Sequence, residues 1–333
     1  MEIPEILKEP PEDVNKELRT LQEELDREIP RKILDENLLI ATWNIRHFGG
    51  LTEKWHASQS DSPKRDLHAL RCIGEIISRF DVVAIQEVKG KVKALRHMLK
   101  LLGPNWGLVL TDVTRGRPGN DERMAFVFDT RRVQMSGLAC ELVVPDAKLS
   151  TIGEDALRNQ FARTPYAVSF RAGGTPVKKP KTFILVTLHV LWGNQASARI
   201  PELIAIADWL TEWANEVNAY DHNIIALGDF NIDRVGSKLY DAFTSKGLHI
   251  PRELHDVPRT IFADPNKPDL DKFYDQIAWF NDDTQAPALS LTYKDGGYFD
   301  FTQVCLTSLS LAKTQLSWRM SDHFPLWVEF SLD

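Results

Sequence analysis

Asp229 and Asn231 stand at alternate positions directly after an apolar run, Ile224-Ile225-Ala226-Leu227, and a glycine, Gly228. The run reads as a buried strand, and the glycine as a point where the backbone can turn sharply. Alternation in extended chain puts the carboxylate and the amide on one side, a good place to hold a hard cation or a phosphate. Polar residues follow other apolar runs in the same way: Asn44, Glu87 and His189. Arg46, Glu122, Arg163, Asp275, Asp322 and His323 complete a set of carboxylates, amides, histidines and arginines. Hydrolysis of a phosphodiester asks for such a set. The anionic ester repels a nucleophile, so catalysis needs a cation on its oxygens, a base for the attacking water and an acid for the leaving oxygen. Each residue also has an ordinary reading. His189 would be a satisfied strand-end histidine, Glu87 a helix-capping carboxylate, Asp322-His323 a surface pair, and Arg46 and Arg163 surface cations. Only the whole set points to chemistry.

The elements that must position these residues alternate between strand and helix, which argues an α/β protein. Strands are expected over 38–43, 81–87, 106–111, 123–128, 141–145, 166–170, 183–188, 224–227, 274–280 and 326–330. Helices are expected over 12–29, 65–80, 91–102, 197–217 and 237–246, the last with Ser237 as N-cap and Gly247 beyond its end. In the first of these, Val14, Leu18, Leu21 and Leu25 recur at helical spacing, which suits a helix packed on the surface of the body. Open α/β sheets carry their sites at polar strand ends, so one site in one body is the economical reading.

Composition sets the outer bounds. The chain has 333 residues, 43% hydrophobic and 26% charged, as in a soluble globular protein, and no apolar run is long enough to span a membrane. The formal net charge is −7, unevenly spread: residues 1–37 hold 12 acidic and 6 basic side chains, the remainder 35 and 34. The main body is nearly neutral, which leaves room for a local basic face. Residues 1–37 are therefore read as an acidic helical extension and 38–333 as a catalytic domain. The N-terminus shows no secretory pattern, and Cys72, Cys140 and Cys305 are far apart in no metal-like spacing. A reduced, cytoplasmic location is the expectation, with all three as ordinary core or surface residues.

Six short motifs carry a resemblance: Trp43-Asn44-Ile45-Arg46, Gln86-Glu87-Val88, Leu188-His189, Gly228-Asp229-Phe230-Asn231, Tyr274-Asp275-Gln276-Ile277 and Ser321-Asp322-His323-Phe324-Pro325. Together, and in this order, they resemble the endonuclease/exonuclease/phosphatase superfamily, most of all its deoxyribonuclease I group, to which residues 44–49, 122–128 and 161–165 are also similar. The resemblance implies a four-layer α/β sandwich, two packed mixed sheets flanked by helices. It implies Mg²⁺ (or Mn²⁺), with Glu87 as principal carboxylate and Asn44, Asp229, Asn231 and Asp322 around metal and phosphate. His189 and His323 become the acid/base pair, oriented by Glu122 and Asp275 respectively. The working assignment makes His323 the base and His189 the acid, with the reverse open. Arg46 and Arg163 would hold phosphate oxygens.

The implied activity is a divalent-metal-dependent phosphodiesterase, a DNA endonuclease, with DNA as substrate and with neither a membrane nor a protein partner indicated. Arg46, Lys89, Arg115 and Arg117 are the expected phosphate contacts. The alternatives are the same chemistry on a nucleotide, inositol phosphate or lipid headgroup, or an inactive binding module on the same fold. Several features depart from the deoxyribonuclease I pattern: Lys89 where an arginine is expected, Val190-Leu191-Trp192-Gly193 in place of a run of small residues and proline, the loop at 52–64 and the N-terminal helix.

Overall fold

The computed structural model describes residues 4–114, 120–143, 161, 163–174, 179–190, 196–216 (side chains of 196–198 excepted), 221–264, 266–267, 271–281 and 286–333. Among them, twelve strands form two sheets: β1 (Asn37–Phe48), β2 (Val82–Lys89), β3 (Trp106–Leu110), β4 (Glu122–Asp129), β5 (Val133–Glu141), β6 (Tyr166–Ala172), β7 (Lys181–His189), β8 (Ile224–Asp229), β9 (Leu248–His249), β10 (Asp275–Phe280), β11 (Thr292–Tyr298) and β12 (Leu326–Ser331). The first sheet runs β11-β12-β1-β2-β4-β3, the second β5-β6-β7-β8-β10-β9. Each is mixed, with one parallel pair at its centre, β1–β2 and β7–β8. Six α-helices lie among the described residues: α1 (Glu12–Glu28), α2 (Leu67–Ser78), α3 (Lys93–Leu102), α4 (Ala196–Asn215), α5 (Lys238–Thr244) and α6 (Lys313–Arg319).

Alternation along the central strands explains the layering. On β1, Leu38 and Ile40 enter the core shared with the second sheet, while Leu39, Ala41, Trp43 and Ile45 enter the core that covers α1, α2 and α3. Both faces are buried, so the strand reads as a continuous apolar run. Aromatic rings close the sheet-to-sheet interface. Phe126 of β4 and Phe170 of β6 lie 5.9 Å apart, and Trp279 of β10 and Phe330 of β12 lie 5.2 Å apart. Each such ring contributes roughly 1.5–3 kcal/mol by burial, and this interior supports the strained residues at the polar end.

One buried polar tie crosses that interface. Gln86 on β2 donates from Nε2 to Thr42 Oγ1 on β1 at 3.1 Å and to Thr187 Oγ1 on β7 at 2.9 Å. Thr42 precedes Asn44 by two residues, and Thr187 precedes His189 by two. The same faces that meet through Gln86 therefore deliver Asn44 and His189 to the cleft between the sheets.

The sequence pattern found the edge strand β3 but misplaced β5 and missed β9. β5 spans 133–141, whereas a strand was expected over 141–145, of which 144 and 145 lie outside the described residues. β11 and α6 were not foreseen. β5 and β11 are edge strands that bury little and carry glycines, Gly137 in β5 and Gly296 and Gly297 in β11, which weaken a strand signal. α1 keeps its predicted stripe, with Val14, Leu18, Leu21 and Leu25 all buried. Pro30 follows the Ile29 C-cap and prevents its continuation.

Gly228 is required by backbone proximity. Its φ is +141°, and a Cβ there would stand 2.1 Å from the Leu188 carbonyl oxygen on the neighbouring strand. Gly228→Ala is expected to cost about 3 kcal/mol or more, read as a lowered melting temperature. A melt indistinguishable from wild type would show that β7 and β8 separate more easily than this contact implies.

Candidate active site

Strand register assembles one wall of the site. His189 pairs with Asp229 across the parallel β7–β8 ladder, and Asp229 pairs with Asp275 across the antiparallel β8–β10 ladder. Residues in register share a face, so the three side chains form a row across the second sheet. The first sheet supplies the opposite wall. Asn44 donates from Nδ2 to Asp229 Oδ2 at 2.9 Å and to Glu87 Oε1 at 3.3 Å. Asn44 and Glu87 were expected at strand ends; β1 and β2 run past them, with register shifts between Asn44 and Phe48 and between Ile85 and Val88. Glu87 sits in the left-handed region at φ +58°, as do His47 (+48°) and Asn231 (+50°). Three non-glycine residues held there around one cleft are stored strain of the kind that gathers at functional sites. The turn at Glu87 breaks the alternation that would otherwise point it away from Asn44.

Each histidine carries a carboxylate on Nδ1. His323, in the loop before β12, is hydrogen-bonded from Nδ1 to Asp275 Oδ2 at 2.6 Å. Burial pushes the Asp275 carboxyl up to about 6. Burial alone would lower His323, but Asp275 beside it favours the charged ring and raises it well above its ordinary value. His189 Nδ1 lies 3.3 Å from Glu122 Oε2, and its Nε2 lies 3.7 Å from Asp229 Oδ2. Glu122 is 2% exposed. Burial would raise its carboxyl, yet His189, Arg163 and Lys89 together hold it well below the usual carboxylate range.

The loop between α6 and β12 is pinned by buried donors. Ser321 Oγ donates to the Asn44 carbonyl at 2.6 Å, and Trp43 Nε1 donates to the His323 carbonyl at 2.8 Å. Arg65, fully buried, donates to the carbonyls of Arg46, His47, Arg319 and Met320. None of these was singled out in the sequence as a site residue. Arg65 carried no local signal, because its partners lie up to 255 residues away in the chain.

The arginines are more committed than the sequence suggested. Arg163 donates from Nε to Glu122 Oε2 at 2.6 Å, which leaves only part of its fork for a phosphate. Arg46 donates to Ser317 Oγ at 2.9 Å, lies 3.3 Å from Asp322 Oδ2 and stacks 3.9 Å over the ring of Trp318. Lys89 donates to Glu122 Oε1 at 2.8 Å instead of standing free for a phosphate. Arg115, Arg117 and residues 191–193 lie outside the described residues. Asn231 donates from Nδ2 to the Val190 carbonyl at 2.8 Å, and its own N–H donates to Asp229 Oδ1 at 2.9 Å.

These residues line an open cleft of about 760 Å³, with Arg46, Glu87, Glu122, Arg163, His189, Asp229, Asn231, Asp322 and His323 all on its wall. Thr260, Phe262, Lys272 and Tyr274 also line it and were not foreseen as site residues, although Tyr274 lies within a quoted motif. The donor set fits a hard divalent cation. Glu87, Asp229 and Asp322 offer carboxylate oxygens, and Asn44 Oδ1 is buried with no hydrogen-bond partner.

A model of the endonuclease/exonuclease/phosphatase family matches residues 41–290. The chain belongs to this family. A deoxyribonuclease from Thioalkalivibrio sp. (strain K90mix) is 30% identical over 202 residues, which are 59% of this chain and 46% of that protein. This chain thus spans about half the length of that relative. Deoxyribonuclease gamma from Rattus norvegicus is 25% identical over 307 residues, 89% of this chain and 84% of that protein. The fold is shared with an endonuclease/exonuclease/phosphatase family protein from Bacteroides thetaiotaomicron, at TM-score 0.55 and 20% identity over 89% of this chain and 95% of that one. It is shared also with the mannosyl-6-phosphatase Bt3783 from the same species, at TM-score 0.53 and 19% identity over 88% and 99%. Members of this family are phosphoester hydrolases, generally dependent on a divalent metal. Among the described residues, no helix is long and apolar enough to cross a membrane.

Proposed function

We propose that the protein is a divalent-metal-dependent endonuclease that hydrolyses internal phosphodiester bonds of DNA. The observation that carries the chemistry is the pair of histidines lining one cleft beside Asp229, each with a buried carboxylate near its Nδ1. In each, the carboxylate leaves Nε2 as the nitrogen for proton transfer. Mg²⁺ or Mn²⁺ held by Glu87, Asn44, Asp229 and Asp322 would supply positive charge to the phosphate oxygens. His323 Nε2 and His189 Nε2 serve the attacking water and the leaving oxygen, one as base and the other as acid; Asp275 stabilises the His323 imidazolium, and Glu122 keeps the His189 ring in place. Asn231, Arg46 and the unoccupied part of the Arg163 fork hold the non-bridging oxygens. The deoxyribonuclease relatives support DNA as substrate. So do Phe262 and Trp318, 45% and 48% exposed, the one on the cleft wall and the other stacked on Arg46, which could carry a base or sugar. The free thiols of Cys72, Cys140 and Cys305 are consistent with a cytoplasmic location. The buried stripe of α1 supports reading residues 1–37 as an extension that braces the catalytic domain.

The test is nicking of supercoiled plasmid at low salt with Mg²⁺ or Mn²⁺, run beside hydrolysis of bis-p-nitrophenyl phosphate. Nicking that EDTA abolishes is the expected result. Metal-dependent hydrolysis of the small diester without nicking would overturn DNA as substrate and keep the mechanism. Silence of a folded, metal-supplied protein in both assays would sink the enzyme reading in favour of a binding module.

A further inference from the structure

A second group of titratable side chains lies outside the cleft lining, under the N-terminal helix. Glu17 is on α1, His68 and Cys72 are one turn apart on α2, and Cys305 follows β11. All four are buried: Glu17 at 8% exposure, the others at 1% or less. Spacing of four residues on a helix puts His68 and Cys72 on the same face. A carboxylate oxygen of Glu17, a ring nitrogen of His68 and the Cys72 sulfur all lie within 4.8 Å of one another. Cys305 is buried next to Cys72 at the edge of this group.

We propose that Glu17, His68, Cys72 and Cys305 bind one structural zinc ion that fastens the N-terminal helix to the body. The decisive detail is His68. Its Nε2 stands 3.1 Å from Glu17 Oε1, yet neither ring nitrogen has an aligned hydrogen-bond partner. Donor atoms that crowd together without pointing at one another are what a shared cation arranges, and about 3.3 Å is the N···O edge of a tetrahedron around zinc. The donor set of two sulfurs, one nitrogen and one oxygen suits this borderline-soft ion and not Mg²⁺ or Ca²⁺. The carboxylate is already oriented. Glu17 accepts from the Leu306 N–H, from the Ser308 N–H at 3.4 Å, from Ser308 Oγ at 3.2 Å and from Thr307 Oγ1 at 3.4 Å. Such outer hydrogen bonds fix a ligand before the metal arrives. Four protein ligands leave no open position, so the site is structural and takes no part in hydrolysis.

The experiment measures metal in protein purified under reducing conditions without a metal-affinity step. About one zinc per chain is expected in wild type and in Glu87→Gln, and a loss of roughly tenfold or more in Cys72→Ser and Cys305→Ser. Cobalt in its place should give a thiolate-to-cobalt charge-transfer band. If the serine variants fail to fold, the wild type decides alone: mercurial titration should release zinc in step with Cys72 and Cys305, not Cys140. Wild type that takes up no zinc under reductant overturns the site. So does zinc lost from Glu87→Gln but kept by Cys72→Ser, which would place it in the cleft, and so does a metal-free Cys72–Cys305 disulfide.

Discussion

Asp275→Asn should give a folded protein that nicks plasmid about 10³- to 10⁴-fold more slowly, with KM nearly unchanged. The carboxylate accepts the Nδ1–H of His323 at 2.6 Å, which fixes the tautomer that leaves Nε2 able to take a proton. It also stabilises the imidazolium. An asparagine of the same shape can offer its N–H₂ instead and turn the ring to the wrong tautomer, and in the Ser-His-Asp hydrolases the equivalent change costs about 10⁴ in kcat. A loss of 10³ is about 4 kcal/mol of transition-state stabilisation. Loss of one partner from this buried pair also lowers stability, which a melt reads separately from the rate. Steady-state kinetics with a thermal melt on the same sample check this. A fall of less than tenfold would remove His323 from proton transfer.

Glu87→Gln is expected to lower kcat/KM by about 10³-fold or more and to raise the Mg²⁺ concentration needed for half-maximal rate at least tenfold. Glu87 reaches Asn44 through Oε1 at 3.3 Å and accepts the His47 N–H through Oε2 at 3.0 Å. Its carboxylate is therefore held at the cleft by backbone and side chain alike. The amide keeps the volume but loses the charge that a hard cation prefers. A Mg²⁺ titration of the rate, with Mn²⁺ as a second probe, separates the two parts of the effect. An unchanged metal requirement would move the principal ligand to Asp229 or Asp322.

The two predictions touch opposite sheets, and the sandwich explains why both matter. Asn44, on the first sheet, is the only residue hydrogen-bonded to both Glu87 and Asp229 among the described pairs. Loosening of the sheet-to-sheet contact would part Asn44 and Glu87 on the first sheet from Asp229 on the second.

The sequence by itself determined the fold family, and it picked out residues that the structure gathers around one cleft. Asn44, Glu87, His189, Asp229 and Asp275 lie on or directly beside central strands, where buried apolar runs give a strong local signal and polar residues stand out against them. Strand register then brings His189, Asp229 and Asp275 together with little further choice. Tertiary structure decided what each charge does. Arg163 and Lys89 look like free cations along the chain, yet both hold Glu122, 41 and 33 residues away. Gln86 belongs to a motif but acts as a buried tie between sheets. Edge strands β5 and β11 escaped notice because they bury little and carry glycines, Gly137 in β5 and Gly296 and Gly297 in β11, that weaken a strand signal. Cys72 and Cys305 have no metal-like spacing; Cys72 stands one turn from His68 on α2, but only the packing of α1 against α2 and of the segment after β11 brings Glu17 and Cys305 to them. Local pattern reports which residues are buried and on which face. It does not report which buried faces meet, because that is set by contacts across hundreds of residues that share one core.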